Sequence, residues 1–301
     1  LYPDTPAGEY DLNVQVYSTG ETGFETWSLF PGEGLTTDTE NTLNVATLPI
    51  QSAATPPATL HPQNVPFKDG PTLVGVDYDR SVPGSLRLYL NWQGPAQGGE
   101  QINVQGSSAR LPALAEGAHH TAVLDLPPET SGRLPLRLIN ADGEAVSLAG
   151  PWGWSLHKVS LPSPSDGARF VPLADEMALI GVSPGAGESY GAGDDLDLQL
   201  TFLGLKPLVS DNAISVRLLD EVGNWRYVHD LQPALGAIPT LKWIRGSRVT
   251  DPHPLQVPLD MDGAVIRALL VVYDNFRGNV LPPMDGRMDG VPLGEWGFDD
   301  R

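Results

Sequence analysis

Apolar and polar residues alternate with a period of two along most of this chain, and the 3.6-residue period of an amphipathic helix is almost absent. Tyr10, Leu12, Val14 and Val16 alternate with Asp11, Asn13 and Gln15. Leu86, Leu88, Leu90 and Trp92 repeat the pattern, and so do Leu196, Leu198, Leu200 and Phe202. Successive side chains of an extended strand point to opposite faces, so each run has one face to bury and one to turn to water. The same reasoning predicts strands at Thr121–Leu126, Leu134–Ile139, Ser155–Leu161, Ile214–Leu219 and Ile266–Tyr273. Turn chemistry separates them, as at Asp142-Gly143, Gly223-Asn224 and Asp274-Asn275. The 33 Gly and 29 Pro residues supply the remaining punctuation. Short, evenly spaced strands of this kind predict an all-β fold of tandem antiparallel β-sandwich modules, immunoglobulin-like or jelly-roll, with very little helix.

A faint internal repeat sets the expected domain plan. Leu73-Val74-Gly75-Val76 precedes the alternating strand that ends at Trp92, and Leu179-Ile180-Gly181-Val182 precedes the one that ends at Phe202. Whole modules are therefore expected over residues 67–165 and 166–301. Residues 1–50 read as the closing strands of a truncated module packed on the next, in a chain that is a piece of something longer. Residues 51–66, rich in Pro, Ala and Thr, read as a semi-rigid linker.

Composition removes several classes of function. The 18 Lys and Arg residues against 37 Asp and Glu leave a formal charge of −19, which repels phosphate and excludes nucleic acid as a partner. With no Cys, disulfide scaffolds, cysteine-ligated zinc and thiol catalysis are excluded. The most apolar run, Ala264–Tyr273, is interrupted by Arg267 and falls short of the roughly 20 residues of a spanning helix, so the chain is not itself membrane-spanning. No basic and apolar leader marks the N-terminus.

Candidate sites are few. Trp152 and Trp154 flank Gly153, and on an extended segment both indoles face one side; burial in the core or between modules is the first reading of the pair, a platform for sugar rings the second and a partner contact the third. Trp225 and Tyr227 have the same spacing beside a hairpin turn and form a second carbohydrate-binding candidate. The weak calcium candidates are Asp194, Asp195 and Asp197, although the spacing of a calcium loop is absent. Gly187-Glu188-Ser189-Tyr190-Gly191 matches a nucleophile elbow, but a strand pattern follows where the elbow needs a helix, so the segment reads as a Gly-rich loop. The six His residues lack chelating spacing and read as surface or loop residues. No catalytic residue, no metal and no cofactor other than that calcium is expected. Trp92 and Trp243 read as core.

The modules resemble the extracytoplasmic C-terminal β-sandwich region of bacterial polytopic glycosyltransferases of the dolichyl-phosphate-mannose mannosyltransferase type (family 39-like) and related membrane proteins. Leu73–Tyr78, Pro83-Gly84-Ser85 and Leu86–Trp92 resemble that family's module opening. Trp243, Gly246, Asp251, Gly263 and Tyr273-Asp274 resemble its closing, as do Ala7-Gly8-Glu9-Tyr10 and Tyr17. Ser85 stands where an acidic residue is usual, and Val265-Ile266 replaces a Gly-Tyr start. The resemblance implies a periplasmic or cell-surface accessory region tethered through a transmembrane parent, with the transferase chemistry elsewhere. Its work would be spacing, partner contact or acceptor positioning. A carbohydrate-binding module for a neutral glycan is the alternative expectation, and an esterase or glycosidase the third.

Overall fold

The computed structural model describes residues 8–14, 17–20, 23–26, 36–39, 42–50, 56–82, 84–150, 154–161, 163, 168–185, 187–284 and 290–299. The described chain is nearly all antiparallel sheet, and its helix is confined to 3-10 turns at Pro233–Gly236 and Thr240–Lys242. Every strand predicted from alternation is present within a few residues of its expected bounds.

Two compact units divide the chain, Leu1–Ala54 and Thr55–Arg301. The first holds β1 (Gly8–Val14), β2 (Tyr17–Gly20), β3 (Gly23–Thr26), β4 (Thr36–Thr39) and β5 (Thr42–Ile50). There β5 pairs with β1 and β4, while β2 and β3 form a hairpin.

The second unit contains two sandwiches. In the first lie β6 (Pro62–Pro66), β7 (Thr72–Asp79), β8 (Leu86–Gln93), β9 (Gln101–Val104), β10 (Ser107–Arg110), β11 (His119–Leu126), β12 (Gly132–Ile139) and β13 (His157–Leu161). They form two four-stranded sheets, ordered β11-β8-β7-β6 and β10-β9-β12-β13. In the second lie β14 (Val171–Leu173), β15 (Met177–Ser183), β16 (Ser189–Gly191), β17 (Asp195–Gly204), β18 (Asn212–Leu219), β19 (Trp225–Leu231), β20 (Arg248–Gln256), β21 (Val265–Asp274) and β22 (Val291–Asp299). They form a four-stranded sheet, β14-β15-β17-β20, and a five-stranded one, β16-β22-β21-β18-β19. With β16 set aside, the two sandwiches have the same strand order. Both place a bulge at the same point, between Leu73 and Gly75 on β7 and between Leu179 and Gly181 on β15. Leu73 then faces Trp92, and Leu179 faces Phe202.

The inward halves of the alternating strands make the two cores. Leu86, Leu88, Leu90 and Trp92 pack with Ile102, Val104, Leu136 and Leu138 in the first. Leu196, Leu198, Leu200 and Phe202 pack with Ile214, Val216, Leu218 and Leu270 in the second. Trp243 is buried beside Phe202, with ring centroids 5.9 Å apart, and its indole N–H donates to the Ile238 carbonyl at 3.1 Å. Burying the large apolar rings contributes the main stabilisation of such cores, about 1.5–3 kcal/mol per large side chain.

A third apolar cluster, of Tyr89, Phe170, Ala178, Leu203, Leu205 and Ala58, joins the two sandwiches. Tyr89 pairs with Asp77 and Val123 on the sheet face turned away from the first core. Its ring lies 5.4 Å from that of Phe170.

The segment read as a linker is part of this structure over residues 56–66. Pro62–Pro66 pairs with β7, despite its prolines, because it is an edge strand with one side free of ladder bonds. Ala58 N–H donates to the Leu205 carbonyl at 2.8 Å, and Leu60 N–H donates to Asp77 Oδ1 at 2.7 Å. Thr59 occupies the space that a Cβ on Gly75 would need, which explains a glycine in the middle of β7.

Candidate functional site

The hairpin of β18 and β19 carries two of the four exposed aromatic side chains among the described residues, Trp225 and Tyr227; the others are Trp154 and Phe276. Its turn is built on Asp220, whose carboxylate accepts the Asn224 N–H at 2.8 Å and the Arg226 Nε–H at 2.9 Å. Burial works against ionisation of Asp220, but these hydrogen bonds and the Arg226 charge outweigh it and hold its pKa at about 2. Arg226 also meets Asp262 at 2.6 Å.

A bulge follows this turn. Leu218 pairs with Tyr227, whereas its neighbour Leu219 pairs with Trp225. Adjacent residues of β18 face opposite sides, and directly opposed residues share a side. Trp225 and Tyr227 therefore lie on opposite faces of the sheet, which corrects the expectation that they form one platform. The extra residue, Arg226, is the one drawn to the acidic turn.

Trp225 faces outward. It is 60% exposed, and the Arg217 guanidinium carbon sits 4.4 Å from its ring centroid. Cross-strand pairing sets out the rest of that face in rows: Trp225 with Leu219 and Arg267, Val228 with Arg217 and Leu269, Asp230 with Ser215 and Val271. Tyr273 stands one row further; burial first, and then the nearby Asp230 carboxylate, raise its pKa above the ordinary phenol value. Glu295 extends the Trp225 row through a 2.8 Å bond from Arg267.

Tyr227 faces the inter-sheet side at the sandwich edge, where β19 stands against β20. Its ring stacks on His229, with centroids 6.3 Å apart and planes 17° apart. His229 Nδ1 lies 3.2 Å from His253 Nδ1, and His253 Nε2 lies 2.8 Å from Asp251 Oδ2. Asp251 and His253 are both buried. With His253 in its neutral form, a proton on Nε2 toward Asp251 leaves Nδ1 to accept from His229 Nδ1–H. The other Asp251 oxygen accepts the Ala234 N–H at 2.7 Å, within a turn where Ala234 and Leu235 have φ of 52° and 55°. This relay corrects the reading of the histidines as surface or loop residues. Its signal was present in the sequence: Val249, Asp251, His253 and Leu255 alternate, so strand geometry carries all four inward.

The remaining candidates disperse. Trp154 is 68% exposed beside Leu156 and Lys158, and its carbonyl accepts the Leu148 N–H. Trp152 lies outside the described residues, so the first platform has one described member. Asp194 Oδ2 closes a turn by accepting the Gly191 N–H at 2.7 Å, while Asp195 and Asp197 face outward along β17. Among the described residues, no three His, Asp or Glu side chains are grouped to hold a metal ion. Ser189 lies in β16, paired in parallel with β22, rather than in a loop or at an elbow. Among the described residues no helix is long and apolar enough to cross a membrane. No protein-family model matches the chain, and no curated protein matches it.

Proposed function

We propose that this chain is a non-catalytic extracytoplasmic accessory region of a membrane glycosyltransferase-like protein, which holds a partner or an acceptor rather than transforming it. One observation carries the reading: three buried carboxylates, Asp77, Asp220 and Asp251, are spent on holding strands and turns together, while an aromatic ring is spent on the surface. Asp77 anchors the segment at Leu60, Asp220 builds the β18–β19 turn, and Asp251 ties a strained turn to β20. Trp225, in contrast, remains 60% exposed on the outer face of the five-stranded sheet. The common strand order of the two sandwiches supports reading them as copies of one module. The apolar cluster between them gives a stiff spacer. The extracytoplasmic placement rests on the module-opening and module-closing resemblance. The reading is tested with chromogenic ester and glycoside substrates at neutral pH. No turnover above buffer is expected, and turnover abolished by Ser189→Ala or Asp251→Asn would overturn it.

A further inference from the structure

We propose that the outer face of β18, β19 and β21 is a binding site for a neutral oligosaccharide, with Trp225 stacking on a pyranose ring and Arg217 and Asp230 bonding to its hydroxyls. The inference deepens the accessory reading and rests on it, because a held acceptor must meet the module somewhere.

Three features support this site. First, the Arg217 guanidinium covers one side of the Trp225 indole at 4.4 Å, which fixes the ring before any ligand arrives. A prefixed ring loses little rotamer freedom on binding, so more of the stacking energy remains as affinity. Second, polar groups lie on the same rows as the ring. Arg217 spends Nε on Ser215 Oγ at 3.3 Å, and its terminal nitrogens make no hydrogen bond to a described residue. Asp230, exposed on the neighbouring row, adds acceptor oxygens. The exposed strip of this face runs along β19 through Trp225, Val228 and Asp230, about 17 Å, while Leu219, Ser215, Ala213 and Val271 behind it are buried and form its floor. Third, the charges on these rows balance: Arg217 and Arg267 stand against Asp230 and Glu295, in a chain of net charge −19. A face without net charge suits an uncharged ligand with a flat apolar side and hydroxyl edges. An anionic polymer or an anionic bilayer would meet the repulsion of the whole chain.

The test is calorimetric titration with linear neutral hexasaccharides of glucose, xylose and mannose, followed by chromatography of the recovered sugar. Saturable binding of at least one is expected, weakened about tenfold or more by Trp225→Ala and unchanged by Trp154→Ala. Circular dichroism of Trp225→Ala should match the parent, because the ring is exposed. Binding that survives Trp225→Ala, or none at millimolar sugar, overturns the inference and leaves the accessory reading standing. Recovery of shortened sugars overturns the accessory reading and the inference with it. A concentration-dependent dimer that Trp225→Ala abolishes, without a sugar response, overturns the inference in favour of a contact between copies.

Discussion

Replacing Asp251 separates the two roles its carboxylate plays at the sandwich edge. In Asp251→Ala a buried donor, His253 Nε2–H at 2.8 Å, and a half-buried one, the Ala234 N–H at 2.7 Å, lose their acceptor. A buried donor left unpaired costs about 1–3 kcal/mol, so the pair sums to roughly 4 kcal/mol. For a unit of this size about 2–4 °C is lost per kcal/mol, which places the drop in Tm near 8–16 °C. Asp251→Asn should cost far less, about 1 kcal/mol. Its carbonyl oxygen still accepts from Ala234, and its amide donates to His253 Nε2. His253 then carries its proton on Nδ1, where it donates to His229, so the relay reverses without breaking. Thermal unfolding at pH 7.5 measures both costs, and nitrogen-15 shifts of the two imidazoles report the tautomer. Equal destabilisation by Ala and Asn would refute the hydrogen-bond account, since charge alone would then matter. A loss below about 1 kcal/mol for Asp251→Ala would refute it from the other side.

Further expectations follow from the same packing. Burial, and then the neighbouring His253, lower the His229 pKa, against smaller opposing pulls from Asp230 and Asp251. The unfolded chain therefore binds more protons at mildly acid pH, and stability should fall as pH drops through about 6.5. Denaturant titrations of His229→Gln, which lacks that group, should show a shallower decline over the same range. Trp243→Ala should cost about 3–5 kcal/mol because it empties the second core, whereas Trp225→Ala should stay within about 0.5 kcal/mol. Urea midpoints compare the two directly. Phe170→Ala, which removes a ring from the cluster between the sandwiches, should cost about 3–5 kcal/mol. It should also split the calorimetric transition of residues 55–301 into two, and a single unchanged transition would argue against a cooperative seam.

Strand positions were legible because burial and backbone share one period, so Leu86, Leu88 and Leu90 declare their face without any knowledge of partners. What alternation does not encode is where it is interrupted. The bulge opposite Leu218 and Leu219 turns Trp225 outward and Tyr227 toward the sandwich edge, and nothing in a Trp-Arg-Tyr triplet marks it. The cause lies in the long-range pull on Arg226, through Asp220 and through Asp262, more than thirty residues away. The stretch before β7 misled for a related reason. Proline bars a central strand, but it leaves an edge strand open, and edge position is a property of the finished sheet. Asp251 and His253 differ from both cases, because their inward direction follows from Val249 and Leu255 on the same strand. Chemistry-bearing residues read as surface by type were core by phase, and on a half-buried strand phase decides. Applied to β18 and β21, the same rule puts Arg217 and Tyr273 on the face opposite the core, beside Trp225. The proposed sugar site thus follows from strand phase once the single bulge is known.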